Sequence, residues 1–228
     1  PFPPSNRLNI IAPTTTTKFT KRDGSMYKRI SQICSEIANI IPGNIAIFFP
    51  SYDLRDQVNY FFQHESNKTI FSEQPKLTKQ EKQELIEKFK SYHEKGAVLL
   101  GAASGSFGEG IDLPGNFLKA VIVVGLPLAK PDIETQELIN YYDELFAKGW
   151  DYAYIYPAII KSLQNAGRCI RSETDRGCIV FLDERYSWDS YKKCFPLDAH
   201  FEITKLPQER IKEFFKNNEN FKKAENEA

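Results

Sequence analysis

The chain has 228 residues, 41% of them apolar, 13% aromatic and 26% charged. That length and composition suit one large globular domain and exclude a disordered chain. Thirty basic residues balance thirty acidic ones, so any nucleic-acid contact must come from local placement rather than from an overall positive field.

No apolar run approaches the ~20 residues of a membrane-spanning helix, and no charged-then-apolar leader opens the chain. The expectation is an intracellular, soluble protein, with no membrane partner. The opening Pro1-Phe2-Pro3-Pro4, with no initiator Met, reads as the start of a fragment. Cys34, Cys169, Cys178 and Cys194 form no C-x-x-C pair and are expected to be structural free thiols.

In chain order, Leu8 to Ala12 is a short apolar run suited to a strand, and Thr14 to Thr17 a polar loop. Ile30, Ile33, Ile37, Ile40 and Ile41 share one helical face, which predicts a helix over 27–41 stopped by Pro42-Gly43. Ile45 to Phe49 is the continuous apolar run of a buried parallel strand, and Ser51 is placed to cap a helix reaching about Phe62. A short strand is predicted at Thr69 to Phe71. Thr78 then caps a charged amphipathic helix to about Lys95, with Leu85, Ile86 and Phe89 inward.

Ala97 to Ala103 and Leu118 to Val124 are further buried strands, separated by a glycine-rich loop. Ile133 to about Ala147 is predicted as helix, Gly149-Trp150 as a break, and Tyr152 to about Ser172 as a longer helix. Gly177 to Leu182 is the last predicted strand, and a polar helix runs from Pro207 to about Lys223. Alternating strands and helices predict an α/β domain spanning 1–228: a mostly parallel sheet with helices on both faces. A helical insertion at about 130–160 and a helical tail at about 205–228 complete it.

Three segments carry candidate chemistry. Gln164, Arg168 and Arg171 stand at i, i+4 and i+7 near the end of the predicted helix and so share one face, with Gly167 leaving room beside them. Two guanidiniums on one face suit a polyphosphate. The alternative is an exposed basic helix end satisfied by the dipole and by Glu173 or Asp175. Ser104 to Gly115 follows a buried strand, where open α/β sheets bind ligands, and its glycines either expose amide donors or simply permit a tight turn. Phe48 to Asp53 ends another strand, where Ser51 caps a helix and can also hold a phosphate. His64, His93 and His200 lack ligand spacing.

Together these segments resemble motifs IV, V and VI of superfamily two helicases, and most closely the XPD family of iron–sulfur DNA helicases. The carrying residues are Phe49-Pro50-Ser51-Tyr52, Gly108-Glu109-Gly110-Ile111-Asp112, and Gln164 with Gly167-Arg168 and Ile170-Arg171. The opening Pro1-Phe2-Pro3-Pro4 and Val180 to Arg185 are similar too. The lack of long extensions is more similar to archaeal than to eukaryotic members. The resemblance implies a RecA-like, three-layer second motor domain of P-loop NTPase type that lacks the phosphate loop itself. No G-x-x-x-x-G-K-[ST] loop, Asp-Glu-x-His box or set of cluster cysteines occurs in this sequence.

By the same resemblance, ATP with Mg2+ is shared with a first motor domain outside this sequence. Arg171 is the finger, Arg168 its companion and Gln164 their positioner; Asp112, Gly110 and Glu109 approach the nucleotide. Ser51, Tyr52, Ser106, Phe107, Trp150 and Arg185 are candidates for single-stranded DNA. For Trp150 a core anchor is the alternative, and for Arg185 a surface salt bridge with Asp183 or Glu184. A 4Fe-4S cluster is implied for the missing part only. The implied activity is 5′–3′ DNA unwinding in nucleotide excision repair. The implied partners are single-stranded DNA, the first motor domain and repair or transcription complex subunits, and the implied location is cytoplasmic in an archaeon or nuclear in a eukaryote. The alternatives are a regulatory docking module with no activity alone and a DinG-like helicase or nuclease.

Overall fold

The computed structural model describes residues 3–110, 117–128, 132–170, 172–173, 175–196 and 198–226, the side chains of 4, 109, 110 and 217–226 excepted. Its centre is a seven-stranded sheet in the order β3-β4-β2-β5-β6-β1-β7. The strands are β1 (Arg7–Ile11), β2 (Asn44–Phe49), β3 (Thr69–Ser72), β4 (Ala97–Ala102), β5 (Leu118–Val124), β6 (Gly177–Leu182) and β7 (Glu202–Ile203). Each described pairing is parallel. Every carboxyl end therefore lies along one edge of the sheet.

The apolar runs follow from burial on both faces. In β2, Ala46 and Phe48 enter one core, while Ile45, Ile47 and Phe49 enter the other. Helices α1 (Gly24–Ile40) and α2 (Tyr52–Glu65) cover the second core, joined by the start of α8 (Pro207–Asn226) through buried Ile211. Helices α3 (Lys79–Ser91), α4 (Ser106–Gly110), α6 (Tyr156–Ala166) and α7 (Asp189–Lys192) cover the first. The predicted three-layer, RecA-like arrangement is thus the observed one. α8 is fixed further by the Arg176 guanidinium, which lies 4.1 Å over the Phe214 ring and donates to the Phe214 carbonyl at 2.7 Å.

Local signals set the helix starts. Asp23 accepts from the Met26 amide and Ser51 from the Leu54 amide, and Thr78 with Glu81 forms a reciprocal capping box. Asp132 does the same for α5 (Ile133–Phe146), which buries only Ile139. The chain then turns at Ala147, whose backbone is left-handed at φ 52°. At Gly149 an added Cβ would lie 1.9 Å from the Ile139 carbonyl oxygen, so no side chain fits there.

The predicted long helix over 152–172 is corrected. A π-helical turn, Asp151–Ile155, leads into α6, and α6 ends at Ala166. The chain then tightens, with the Arg168 amide on the Asn165 carbonyl at 3.3 Å and the Cys169 amide on Ala166 at 3.1 Å. The reason is burial: Cys169 and Ile170 sit in the core at 3% and 5% exposure, which a continuing α-helix would not reach. β7, two residues long, was not predicted.

Candidate nucleotide and strand-binding edge

The parallel order places the loops after β2, β4, β5 and β6 side by side. Glu73, fully buried just beyond β3, organises the first two. Its carboxylate accepts from the Ala102 amide and from the Phe107 amide, each at 3.0 Å. The Tyr52 hydroxyl is bonded to it as well, and burial together with the Glu73 charge pushes that phenol up to about 12. The Glu73 backbone carbonyl accepts from the buried Arg55 guanidinium. A Cβ on Gly105 would lie 2.5 Å from a Glu73 oxygen, which is why the loop carries glycine there.

From the other side, α6 and the turn after it hold the same loop. Asn165 donates to the Ala103 carbonyl at 3.3 Å, and the Arg168 guanidinium donates to the Gly108 carbonyl at 2.6 Å. Asn165 Oδ1 is buried beside Gly108 with no hydrogen-bond partner among the described residues. Arg168 therefore faces the turn that leads toward Asp112. Asp112 and Arg171 lie outside the described residues, as do the side chains of Glu109 and Gly110.

Gln164 lines a groove of about 560 Å³ with Ser104, Tyr154 and Lys161. That groove adjoins another of about 720 Å³, lined by Lys18, Arg22, Ser51, Tyr154 and Arg185 among others. The helix expected to carry Gln164, Arg168 and Arg171 on one face ends at Ala166, between the first two, and Arg171 lies outside the described residues.

The candidate strand contacts fare unequally. Ser51 caps α2 and lines the larger groove. Ser106 is half-buried. Trp150 is 50% exposed, its ring 4.4 Å from that of Tyr154 at the groove wall. Phe107 is a correction: its side chain is fully buried in the core and its ring is not available for stacking, leaving the amide bound to Glu73. Tyr52 is engaged with Glu73 and with Arg55, 4.9 Å from the ring.

Arg185 forms the ion pair with Asp183, and the pair is buried rather than on the surface. Asp183 accepts from Arg185 Nε and Nη2 at 2.8 Å each and from the Thr17 amide at 2.8 Å. Burial opposes the Arg185 charge, but hydrogen bonds and attraction from Asp183 outweigh it and raise its pKa. Next to it, the Tyr186 hydroxyl bonds the Gly125 carbonyl at 2.7 Å and Ser162 at 2.8 Å. Sequence reasoning missed Glu73, Asn165 and the Thr17–Asp183 link; a lone acid after a short strand carries no local signal.

Among the described residues, no group of three or more His, Cys, Asp or Glu side chains is gathered as for a metal, and no helix is long and apolar enough to cross a membrane. Burial pushes the Cys169 thiol up to about 12 and raises Cys34 and Cys178 as well, as for structural thiols.

Comparison with known proteins places this edge in context. A family model described as "Helicase C-terminal domain" matches residues 34–200. The chain is 29% identical over 216 residues to the ATP-dependent DNA helicase DDX11 of Danio rerio, covering 82% of this chain and 24% of that protein. It is 30% identical over 199 residues to the 3'-5' exonuclease DinG of Staphylococcus saprophyticus, covering 82% of this chain and 21% of that protein. Among solved structures, an XPD helicase superposes with a TM-score of 0.68 at 24% identity, covering 87% of this chain and 35% of that one, a likeness of fold. The chain spans about a quarter or less of the length of these curated relatives. With the family match covering most of its length, the chain belongs to the helicase C-terminal domain family.

Proposed function

We propose that this chain is the second motor domain of an ATP-dependent 5′–3′ DNA helicase of the XPD type, acting in nucleotide excision repair. ATP is held mainly by a first motor domain, which also supplies the magnesium; the iron–sulfur cluster implied by the resemblance belongs to that other part of the polypeptide. This domain completes the nucleotide site from across the cleft. Arg171 is the finger, Arg168 its companion, and Asp112, Gly110 and Glu109 approach the nucleotide. Their guanidinium and amide groups stabilise charge developing on the transferred phosphoryl group.

The observation that carries this reading is the Arg168–Gly108 contact at 2.6 Å, which sets the arginine segment against the β4 loop at the strand ends. Single-stranded DNA follows the adjoining grooves. Lys18, Arg22 and Ser51 face its phosphates there, Trp150 and Tyr154 offer ring surface, and Gln164 and Ser106 lie along the same edge. Arg185 contributes positive charge to the groove wall while held by Asp183.

The test is Arg168→Ala and Arg171→Ala in the full-length protein. ATP turnover is expected to fall by about three orders of magnitude with the fold retained, the scale of an arginine finger. Turnover within a few-fold of normal for both variants sinks the assignment. The DinG relative, named as an exonuclease, supports a second reading in which the motor serves nucleic-acid degradation. ATP-dependent loss of a labelled strand end, rather than strand separation, would favour it.

A further inference from the structure

Glu73 touches three chain segments at once. Its carboxylate meets the Tyr52 hydroxyl at the start of α2, the Ala102 amide at the end of β4 and the Phe107 amide in α4. The Arg55 guanidinium binds its backbone carbonyl and Asp56. The charge is therefore held by neutral donors whose positions depend on two separate loops. One loop carries Ser51 and Tyr52; the other carries Gly108, which accepts from Arg168. A shift of either loop must alter the bonds that fix the other, because this fully buried side chain is shared between them.

We propose that Glu73 is a positioning residue that couples the strand-facing turn at Ser51–Tyr52, through the Ala102–Gly108 segment, to Arg168 on the nucleotide side, so that each ligand changes the affinity for the other. This rests on the proposed helicase reading. It differs from a purely structural role in a measurable way. A structural defect weakens each ligand separately, whereas loss of coupling removes the effect of one ligand on the other.

The measurement is the dissociation constant of the full-length protein for a fluorescent oligo-deoxythymidylate, with and without magnesium adenylyl imidodiphosphate. In the unaltered protein the nucleotide analogue is expected to change that constant by roughly 10-fold. Glu73→Gln keeps the shape but turns an NH2 group toward one of the two amide donors. In that variant the change is expected to fall to about 2-fold or less, with affinity for each ligand alone within about 3-fold of normal. An equal change in both proteins overturns the proposal, and so does an unaltered protein that binds both ligands with no mutual effect. An unaltered protein that binds neither ligand overturns the helicase reading instead. If Glu73→Gln does not fold, Tyr52→Phe cuts the same path at its other end; an unreduced nucleotide effect there also overturns the proposal.

Discussion

Two buried carboxylates stand on the same edge of the sheet and do different work. Asp183, after β6, faces a guanidinium directly: Arg185 and Thr17 surround it, and the charge is cancelled inside the loop that bears it. Glu73, after β3, is bound by amides and a phenol from two other loops, while the nearby guanidinium of Arg55 binds its backbone. A locally neutralised pair makes a closed, stiff corner. A carboxylate satisfied by distant neutral donors makes a joint whose quality depends on where those donors stand.

That contrast can be broken most directly at Asp183. Asp183→Asn leaves the Arg185 guanidinium buried without its counter-charge and is expected to cost about 3–5 kcal/mol, read by urea unfolding of the domain. Glu73→Gln, with no cation to orphan, is expected to cost only about 1–2 kcal/mol in the same assay. Equal losses would erase the distinction. Tyr186→Phe sharpens it on the Asp183 side. The variant leaves the Gly125 carbonyl and Ser162 without the shared hydroxyl and is expected to cost about 1–3 kcal/mol, with little effect on either ligand. Ser51→Ala is the mildest on stability, about 1 kcal/mol for a lost cap. It lies on the proposed strand path, however, so its oligonucleotide affinity is expected to fall more than its stability suggests; unchanged affinity would remove Ser51 from that path.

Most of the architecture was legible because parallel strands buried on both faces must be apolar throughout, as in Ile45 to Phe49 and Leu118 to Val124. Caps such as Ser51 and Thr78 were legible because they act within a few residues of themselves. The helix after Tyr152 was misread because its apolar spacing runs on past Ala166. Only the sheet decides that Cys169 and Ile170 drop into the core instead. Phe107 looked like an exposed ring in a glycine loop; its burial is set by α3, α6 and the strands beneath it, far away in sequence. Glu73 was invisible for the same reason, since each of its side-chain partners comes from another loop. Arg185 was legible as a choice between DNA and a surface ion pair with Asp183 or Glu184; the pair with Asp183 forms, but buried, because Thr17 closes over it from a segment distant in sequence.

The position of β1 carries a consequence for how the chain assembles. Arg7 to Ile11 pairs with Gly177 to Phe181 on one side and reaches Ile203 on the other. β1 must therefore wait until β6, beginning at Gly177, has been made before its backbone finds that partner. During synthesis, β2, β4 and β5 can zip together while β1 stays unpaired, and its apolar residues remain a hazard until β6 emerges. Closure of this sheet is thus a late event, and a chain halted before residue 177 leaves β1 without its β6 partner.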